Sequence, residues 1–282
     1  MNTPRGLFAG LCTLDIVQLV DHVPDENEKV TAREQTVAAG GPAANAAVTF
    51  AHLGGRATLL TAVGGHPLAA GIRADLERMG VELVDLATDG EGPPAVSAIM
   101  VTARTGARAV VSADGGGRTV RPPADLADLV AGCDIVQTDP HHPELAAAVL
   151  AGARRAGKRT VLDTGRWKPA TERLLPDLDV VVCPADSHPP GTATPGEALD
   201  WLTGHGVPHV AVTRGAEPVL LPDGEIPVPR VAVADTLGAG DVFHGALTFA
   251  LAEGQPFEAA LGAAATVAAR ACGSFGTRAW MA

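Results

Sequence analysis

Residues suited to phosphoryl chemistry are concentrated in one segment, Asp235-Thr236-Leu237-Gly238-Ala239-Gly240-Asp241. The apolar run 242–251 follows directly and predicts a buried helix. Small residues at a helix start let backbone N–H groups converge on an anion, which the helix dipole also favours. Asp241 is then suited to take a proton from a hydroxyl while the amides hold a phosphoryl group. The alternative is a turn in which the aspartate only caps the helix, and the segment alone leaves both interpretations open.

A second polar constellation lies near the N-terminus. Gly40-Gly41 precede a predicted helix, and a Gly-Gly turn lets a ligand approach the backbone closely. Asn45 falls in the first turns of that helix and both donates and accepts hydrogen bonds. Asp15 follows the first predicted strand, at the sheet edge where open α/β sheets bind ligands. Asp15 and Asn45 are therefore candidates to bind neighbouring hydroxyls of a polyol, the alternative for Asn45 being a cap or a packing role.

These residues need a scaffold that brings distant parts of the chain together. Short runs rich in Val, Leu and Ile predict strands, and Ala-rich segments between them predict helices, several of which begin with proline. The predicted strands are 7–11, 57–63, 134–137, 160–163, 180–183 and 209–213. The predicted helices are 42–53, 67–79, 143–156, 195–203, 242–252 and 257–271. The alternation predicts a single α/β domain over 1–282, with a doubly wound, mostly parallel sheet flanked by helices.

Two stretches depart from this alternation. Residues 15–37 and 95–112 alternate apolar and polar side chains like exposed antiparallel strands, with a hairpin turn at 104–107. We predict that they form a small β-sheet lid that closes a ligand site against water. The alternative is an ordinary pair of edge hairpins. Exposed strand edges favour pairing with a second chain, so we also predict a homodimer through the lid.

Composition excludes several classes of protein. The 282 residues carry a formal net charge of −11, which argues against nucleic acid or an anionic membrane as a main partner. The chain is 46% hydrophobic but 3% aromatic and has no tyrosine, so Ala, Val and Leu must build the core. The four cysteines are scattered without a C-x-x-C pair, which predicts reduced thiols. With no signal-peptide pattern and no apolar stretch of membrane-spanning length, we expect a soluble, cytoplasmic protein.

The two motifs together resemble a known family. In order and spacing, Gly40-Gly41 with Asn45 and the segment 235–241 resemble the paired signatures of the ribokinase-like (PfkB) carbohydrate kinases. The resemblance runs from about Leu7 to Gly276. The ketohexokinase branch is the most similar, on the segments 10–15, 19–24 and 105–108.

The resemblance implies an ATP-dependent kinase that transfers the γ-phosphoryl group to a hydroxyl of a small sugar, such as a ketohexose or a sugar derivative. It assigns the role of base to Asp241, and the role of anion hole to the amides of Gly238, Ala239 and Gly240. The residues that it assigns to the sugar are Asp15, Asn27, Gly41, Asn45 and Arg108. The residues that it assigns to ATP are Thr213, Gly215 and Gly273. Mg²⁺ would accompany ATP, and Asp235 is a candidate ligand of a monovalent cation such as K⁺.

The chain also departs from the family pattern. Many members carry an Asn-x-x-Glu motif that organises Mg²⁺, and the corresponding stretch 182–187 has neither residue. Asp186 is the candidate to replace it through water, because Mg²⁺ usually keeps several waters. Asn27 stands where ketohexokinases have an acidic residue, and Pro42 where that branch often has Asn, so the identity of the sugar stays open. The P-loop motif G-x-x-x-x-G-K-[ST] is absent, which argues against a P-loop kinase.

Two other functions remain alternatives. A nucleoside kinase of the same fold would need an aromatic clamp for the base, and the lid segments offer little aromatic surface. A non-catalytic regulator that binds a sugar or nucleotide fits the missing Asn-x-x-Glu motif, but the intact Asp241 argues against it. Among the histidines, His141-His142 are expected to be structural or exposed, and His244 is expected to pack beneath the site.

Overall fold

The computed structural model describes residues 3–87, 92–113, 118 and 120–282, and the structural statements below concern those residues. The α-helices in this part are α1 (Pro42–His52), α2 (Ala69–Arg78), α3 (Leu126–Gly132), α4 (Pro143–Arg155), α5 (Pro195–Gly204), α6 (Ala239–Ala252) and α7 (Phe257–Ala271). The strands are β1 (Arg5–Ala9), β2 (Thr13–Val20), β3 (Glu34–Gly40), β4 (Arg56–Thr61), β5 (Val81–Asp85), β6 (Val96–Thr102), β7 (Arg108–Ser112), β8 (Ile135–Thr138), β9 (Arg159–Asp163), β10 (Val180–Pro184), β11 (His209–Arg214), β12 (Glu217–Leu221) and β13 (Gly224–Ile226). Two 3₁₀ helices cover Pro169–Asp177 and Ala279–Met281.

A nine-stranded sheet forms the body of the protein. Its strand order is β13-β12-β11-β10-β9-β8-β1-β4-β5. Parallel pairing joins the seven neighbouring strands β11, β10, β9, β8, β1, β4 and β5. At the other edge, β12 pairs antiparallel with β11, and β13 pairs antiparallel with β12. The predicted doubly wound, mostly parallel sheet is therefore confirmed. The direction of winding reverses between β1 and β8, and ligands of such sheets bind beyond the carboxyl ends of the strands at this point.

Both faces of the large sheet are covered, as its apolar strands require. On one face Phe8 packs edge-on against Phe50 of α1, with ring centroids 5.4 Å apart, and Phe50 packs in the same way on Phe249 of α6. On the other face the neighbouring Leu7 lies in a separate cluster with residues of α4. Because successive side chains of a strand point to opposite faces, one strand supplies both cores.

Small residues allow α1 and α6 to approach closely. A Cβ at Gly245 would lie 2.4 Å from the carbonyl oxygen of Ala46, so α6 reaches this distance from α1 only with glycine there. The two helices carry the two sequence motifs near their first turns. Their close contact is therefore what brings Asn45 and Asp241 together.

The remaining strands form a separate four-stranded sheet in the order β3-β2-β6-β7. The pairs β2/β3 and β6/β7 are antiparallel, as expected, but β2/β6 is parallel. Strands β2 and β6 follow β1 and β5, which run in the same direction, so both leave the large sheet the same way. One face of the small sheet, with Val17, Ile99 and Val101, packs on Leu237 and Phe275. It therefore lies against the segment that leads into α6.

The sequence reasoning missed several short elements, namely β5, α3, the β12–β13 hairpin and the 3₁₀ helix Pro169–Asp177. Helix α3 has seven residues and β13 has three, which is too short for a periodicity signal. Within the described residues, no helix combines the length and the hydropathy that a bilayer span requires.

Candidate active site

The segment 235–241 forms the entry to helix α6. Gly238 is the N-cap, with a φ of 68° in the left-handed region that glycine adopts without strain. A Cβ at this position would lie 3.0 Å from Cγ2 of Thr277, so space also favours glycine. The first helical turn, residues 239–241, has no side-chain cap. The N–H of Ala239 donates to the carbonyl oxygen of Thr236 at 3.4 Å, whereas the N–H groups of Gly240 and Asp241 have no hydrogen-bond partner among the described residues. These two groups are available to an anion at the positive end of the helix dipole.

Asp241 does not cap the helix, so the capping interpretation of this residue is wrong. It lies inside the first turn, and its Oδ2 accepts a hydrogen bond from Nδ2 of Asn45 at 2.8 Å. Asn45 is 3% exposed and lies in the first turn of α1. The contact joins residues 196 positions apart in the chain. The motif suited to bind a polyol and the motif suited to bind a phosphoryl group thus meet at one hydrogen bond.

The surroundings of Asp241 raise the pKa of its carboxyl group towards neutral pH. Burial raises the pKa of Asp241 to about 7, and repulsion from the carboxylate of Asp163 acts in the same direction. The hydrogen bond from Asn45 and the proximity of His244 oppose this rise in pKa. A carboxyl group that titrates near neutral pH is suited to accept a proton from a hydroxyl.

His244 lies beneath this carboxylate, one helical turn further along α6, and is 2% exposed. Its Nδ1 is 2.8 Å from the carbonyl oxygen of Gly240 and 3.2 Å from Oδ2 of Asp163. Its Nε2 is 3.2 Å from the carbonyl oxygen of Val182. These contacts fix His244 between α6 and the carboxyl ends of β9 and β10, consistent with the expected packing role.

Asp15 and Gly41 lie around the N-terminus of α1. Asp15 is 5% exposed, its Oδ1 accepts a hydrogen bond from Oγ1 of Thr13 at 2.6 Å, and burial raises its pKa. A Cβ at Gly40 would lie 1.9 Å from Oδ2 of Asp15, so this glycine makes room for the carboxylate. Gly41 has a φ of 90°, and a Cβ there would lie 2.5 Å from the carbonyl oxygen of Leu11. The structure therefore brings Asp15, Gly41 and Asn45 to one place.

Sequence reasoning did not assign a role to Asp139, which is 1% exposed after β8. Its Oδ2 accepts hydrogen bonds from the N–H groups of Leu11 and Ala43, at 2.9 and 3.2 Å, and so holds the start of α1. Its Oδ1 accepts two from His141, through the backbone N–H and Nδ1. Burial acts to raise the pKa of Asp139, but His141 and these N–H groups hold it below its ordinary value. An aspartate two residues after a predicted strand was the signal that this residue offered.

The two sugar-binding candidates from the small sheet have different positions. Nη1 of Arg108 donates to Oγ1 of Thr236 at 2.8 Å and to its carbonyl oxygen at 3.3 Å, which joins the small sheet to the segment 235–241. Asn27 lies on an exposed turn with a φ of 64°. Among the described residues, no hydrogen bond joins Asn27 to the site.

The three candidates for ATP lie at the ends of two elements, two of them at the end of β11 and one after α7. Thr213 is in the last part of β11, and Gly215 follows it with a φ of 64°. Gly273 follows α7 directly after Cys272, whose carbonyl oxygen accepts hydrogen bonds from the N–H groups of Ala234 and Asp235. The end of α7 is thereby attached to the segment 235–241.

Asp235 connects three parts of the site. It is 3% exposed; its Oδ1 accepts a hydrogen bond from the N–H of Leu237 at 2.8 Å, and its Oδ2 accepts one from Gly276 at 2.9 Å. Each carboxylate oxygen has a second lone pair, so these two bonds are compatible with a cation on the same group.

Arg278 is the second residue that the sequence reasoning missed. It lies two residues beyond Gly276, where the resemblance noted from the sequence ends. Its Nη1 donates to Oδ1 of Asn45 at 3.0 Å. An arginine within the otherwise apolar last residues was the only signal in the sequence.

Comparison with known proteins places this geometry in a family. The family model described as "pfkB family carbohydrate kinase" matches residues 7–281. The ketohexokinase of Mus musculus is 26% identical over 303 residues, covering 97% of this chain and 97% of the relative. An ATP-dependent ribose-1-phosphate kinase of Halopiger xanaduensis is 32% identical over 162 residues, which cover 57% of this chain and 54% of the relative.

Solved structures agree with this result. A crystal structure of a candidate ribokinase from Agrobacterium tumefaciens superposes with a TM-score of 0.88 at 28% identity, covering 99% of this chain and 94% of the other. The ribokinase of Arabidopsis thaliana, complexed with ribose and ATP, has the same fold, with a TM-score of 0.77 at 22% identity, covering 98% of this chain and 94% of the other. The chain belongs to the pfkB family of carbohydrate kinases.

Proposed function

We propose that this protein transfers the γ-phosphoryl group of ATP to a hydroxyl of a small sugar or sugar derivative, with Asp241 as the base. The observation that carries the proposal is the 2.8 Å hydrogen bond between Asn45 and Asp241. It joins Asp241, in the first turn of α6, to one of the sugar-binding candidates, and Asp241 lies beside the N–H groups that are candidates for the anion hole. A base at this boundary faces both reactants.

The proposed reaction begins with the sugar held at the start of α1. Asp15 accepts hydrogen bonds from sugar hydroxyls, and the backbone at Gly41 and the amide of Asn45 orient the ring. Asp241, in its ionised form, accepts the proton of the attacking hydroxyl. The hydroxyl oxygen then forms a bond to the γ-phosphorus while the bond to the β-phosphate oxygen of ATP breaks. The N–H groups at the start of α6 stabilise the charge on the transferring phosphoryl oxygens.

ATP itself is proposed to bind along the end of β11 and the end of α7. Thr213 and Gly215 are the candidates for its phosphates, and Gly273 lies where the adenine would bind. The attachment of α7 to the segment 235–241 through Cys272 supports this arrangement, because it would keep nucleotide and anion hole in register. Arg214 is not one of these candidates, because its guanidinium donates to the carbonyl oxygen of Pro218 and to Glu225.

The residues present fit Mg²⁺ and K⁺ to different extents. Among the described residues, no cluster of three or more His, Cys, Asp or Glu side chains is arranged to hold a metal, and Asp186 is exposed. Mg²⁺ would therefore bind mainly to the ATP phosphates and to water, where it neutralises phosphate charge. Asp235 fits a K⁺ ion, because it is a buried carboxylate with lone pairs to spare beside the α6 entry.

The small sheet is proposed to act as a lid of this single domain. Its contact with Leu237 and the hydrogen bonds of Arg108 to Thr236 support closure over the anion hole. Its outer face exposes Val37 and Val111, which supports a homodimer formed through the lids. A monomer in light scattering at micromolar concentration would contradict the dimer.

We place the enzyme in the cytoplasm, where ATP is available, and expect neither nucleic acid nor membrane as partner.

The test is an assay of ATP-dependent phosphorylation over a panel of ketoses, aldoses, sugar acids, sugar phosphates and nucleosides. The proposal expects turnover of at least one sugar and its loss in Asp241→Asn. Turnover of nucleosides alone would favour a nucleoside kinase. Sugar or ATP binding in calorimetry without any turnover would favour a regulator.

A further inference from the structure

Arg278 is buried and forms hydrogen bonds in three directions. Its side chain is 11% exposed. Nε and Nη2 donate to Oδ2 of Asp75 at 3.2 and 3.1 Å, Nη2 donates to the carbonyl oxygen of Ala39 at 2.6 Å, and Nη1 donates to Oδ1 of Asn45. A guanidinium group presents its donors in a fixed plane, so these bonds hold their partners in fixed relative positions.

The ion pair between Arg278 and Asp75 holds the backbone of Ala39, the residue before the Gly40-Gly41 turn. Oδ2 of Asp75 accepts a hydrogen bond from the N–H of Ala39 at 3.0 Å, while Arg278 binds the carbonyl oxygen of the same residue. Both backbone groups of Ala39 are thereby fixed by one buried pair. Gly40 and Gly41 follow immediately, so the pair positions the start of α1.

The hydrogen bond to Asn45 has a separate consequence. An asparagine amide can turn over and exchange its oxygen and nitrogen. The guanidinium of Arg278 can only donate hydrogen bonds, so the amide of Asn45 must turn its acceptor atom, Oδ1, towards Arg278. The amide nitrogen, Nδ2, then faces Asp241. The reversed amide would place Oδ1 beside the carboxylate of Asp241 and an N–H beside a guanidinium, which is repulsive at both ends.

We propose that Arg278 is a positioning residue of the phosphoryl transfer, which locks the Asn45 amide so that its nitrogen donates to Asp241. The inference rests on the proposed role of Asp241 as base. Arg278 acts through Asn45, because it forms no hydrogen bond with Asp241 itself.

The charge environment of Asp241 gives this lock a measurable effect. The groups that act on Asp241 are Asp163 at the end of β9, His244 on α6, Asp15 on β2 and the donating amide of Asn45. The amide and His244 oppose the rise in pKa, whereas the two aspartates and burial favour it. Releasing the amide removes one of the two opposing influences and leaves both aspartates in place. The pKa of Asp241 should then rise.

The test compares Arg278→Met with the control Asp75→Asn. The control breaks the same ion pair but leaves the arginine next to Asn45. We expect the midpoint of the acidic limb of kcat to rise by about one pH unit in Arg278→Met, and to keep its wild-type position in Asp75→Asn, while both variants lose thermal stability. The kcat deficit of Arg278→Met should be about fivefold at pH 7 and should shrink above pH 8. An unchanged midpoint in Arg278→Met would overturn the proposal.

A double-mutant cycle identifies the route. The Asn45→Ala variant has no side-chain amide for Arg278 to orient. Adding Arg278→Met to it should therefore produce no further rise in the midpoint of the acidic limb of kcat. Additive shifts would mean that Arg278 acts on Asp241 without Asn45 and would overturn the inference. Should Arg278→Met fail to fold, Arg278→Lys retains the charge beside Asp75 but cannot serve three partners at once, and the same upward shift, smaller in size, is expected.

A spectroscopic measurement separates this inference from the proposed function. The side-chain NH₂ signals of Asn45 in ¹⁵N-labelled wild-type protein, assigned by their loss in Asn45→Ala, should change with a midpoint near pH 7. They should titrate at higher pH in Arg278→Met or Arg278→Lys. This readout needs no substrate, so it stands even if no sugar is phosphorylated. If the Asn45 side-chain signals of the wild-type protein did not change between pH values on either side of this midpoint, the proposed role of Arg278 would be overturned.

Discussion

Replacing the proposed base by its amide, Asp241→Asn, should remove activity and increase stability in the same protein. Activity falls because the amide cannot accept the hydroxyl proton, a change of the order of 10²–10⁴-fold in kcat for a lost general base. Stability rises because the wild-type native state must keep a carboxyl group in a partly buried position beside Asp163. The pKa of Asp241 is raised from 3.8 to about 7, or about three pH units. At about 1.36 kcal/mol per pH unit, the ionised carboxylate costs the native state up to about 4 kcal/mol.

The sign of the effect sets its pH dependence. Between pH 3.8 and about 7 the native state holds a proton on Asp241 that the unfolded state has released. Stability of the wild type therefore falls as pH rises through this window and is level with respect to this group above it. Asparagine does not titrate, and its weaker hydrogen bond with Asn45 offsets part of the gain. The advantage of Asp241→Asn should be near zero at pH 3.5 and about 2 to 4 kcal/mol at pH 8.

Urea unfolding followed by circular dichroism at pH 4, 5.5, 7 and 8 measures this advantage as a difference in free energy of unfolding. Asp163→Asn is a useful companion variant, because it removes the repulsion while keeping Asp241 and should lower the pKa of that base. The reasoning is refuted if Asp241→Asn is less stable than the wild type at pH 8, or if the difference between them does not change with pH.

Three further results are expected. The kcat of the wild type should rise about tenfold from pH 6 to the plateau above pH 8, because Asp241 must be ionised to act as base; a flat profile over this range would argue against a base with a pKa near 7. Gly245→Ala should lose at least about 1 to 3 kcal/mol of unfolding free energy and much of its activity, since the added Cβ meets a backbone carbonyl of α1 at 2.4 Å. Gly262→Ala on α7 meets only a side-chain methyl at 3.9 Å and should be neutral or stabilising, so equal losses in the two variants would contradict the close-packing argument. Arg108→Ala should raise KM severalfold with a change in melting temperature of only a few degrees, because it removes the exposed hydrogen bonds to Thr236 that hold the lid; unchanged kinetics would exclude a lid role for this arginine.

Local patterns predicted most of the fold because the elements of the large sheet are strongly apolar and well separated. Helix α1 was expected over 42–53 and covers Pro42–His52, and helix α7 has the expected bounds, Phe257–Ala271. Prolines and glycines mark these ends, and their effect on the backbone is local. The hairpin β12–β13 was missed because its strands are short and half exposed, so no alternation is visible.

The pairing of β2 with β6 shows the limit of such patterns. Alternating apolar and polar residues predict strands but carry no information on direction. The parallel pairing follows from the shared direction of β1 and β5, which only the completed large sheet defines.

The sequence by itself predicted the chemistry now proposed for the site, because the segment 235–241 combines small residues with carboxylates and the Gly40-Gly41 turn precedes Asn45. Only the tertiary structure decided that Asp241 is a partner of Asn45 and not a helix cap, because that contact spans 196 positions and depends on the close approach of α1 and α6. The structure alone also revealed Asp139 and Arg278, whose hydrogen bonds to α1 join residues more than 90 positions apart in sequence. Hydrogen bonds of buried groups are satisfied by whatever the fold places beside them, and that neighbourhood is not encoded in local spacing.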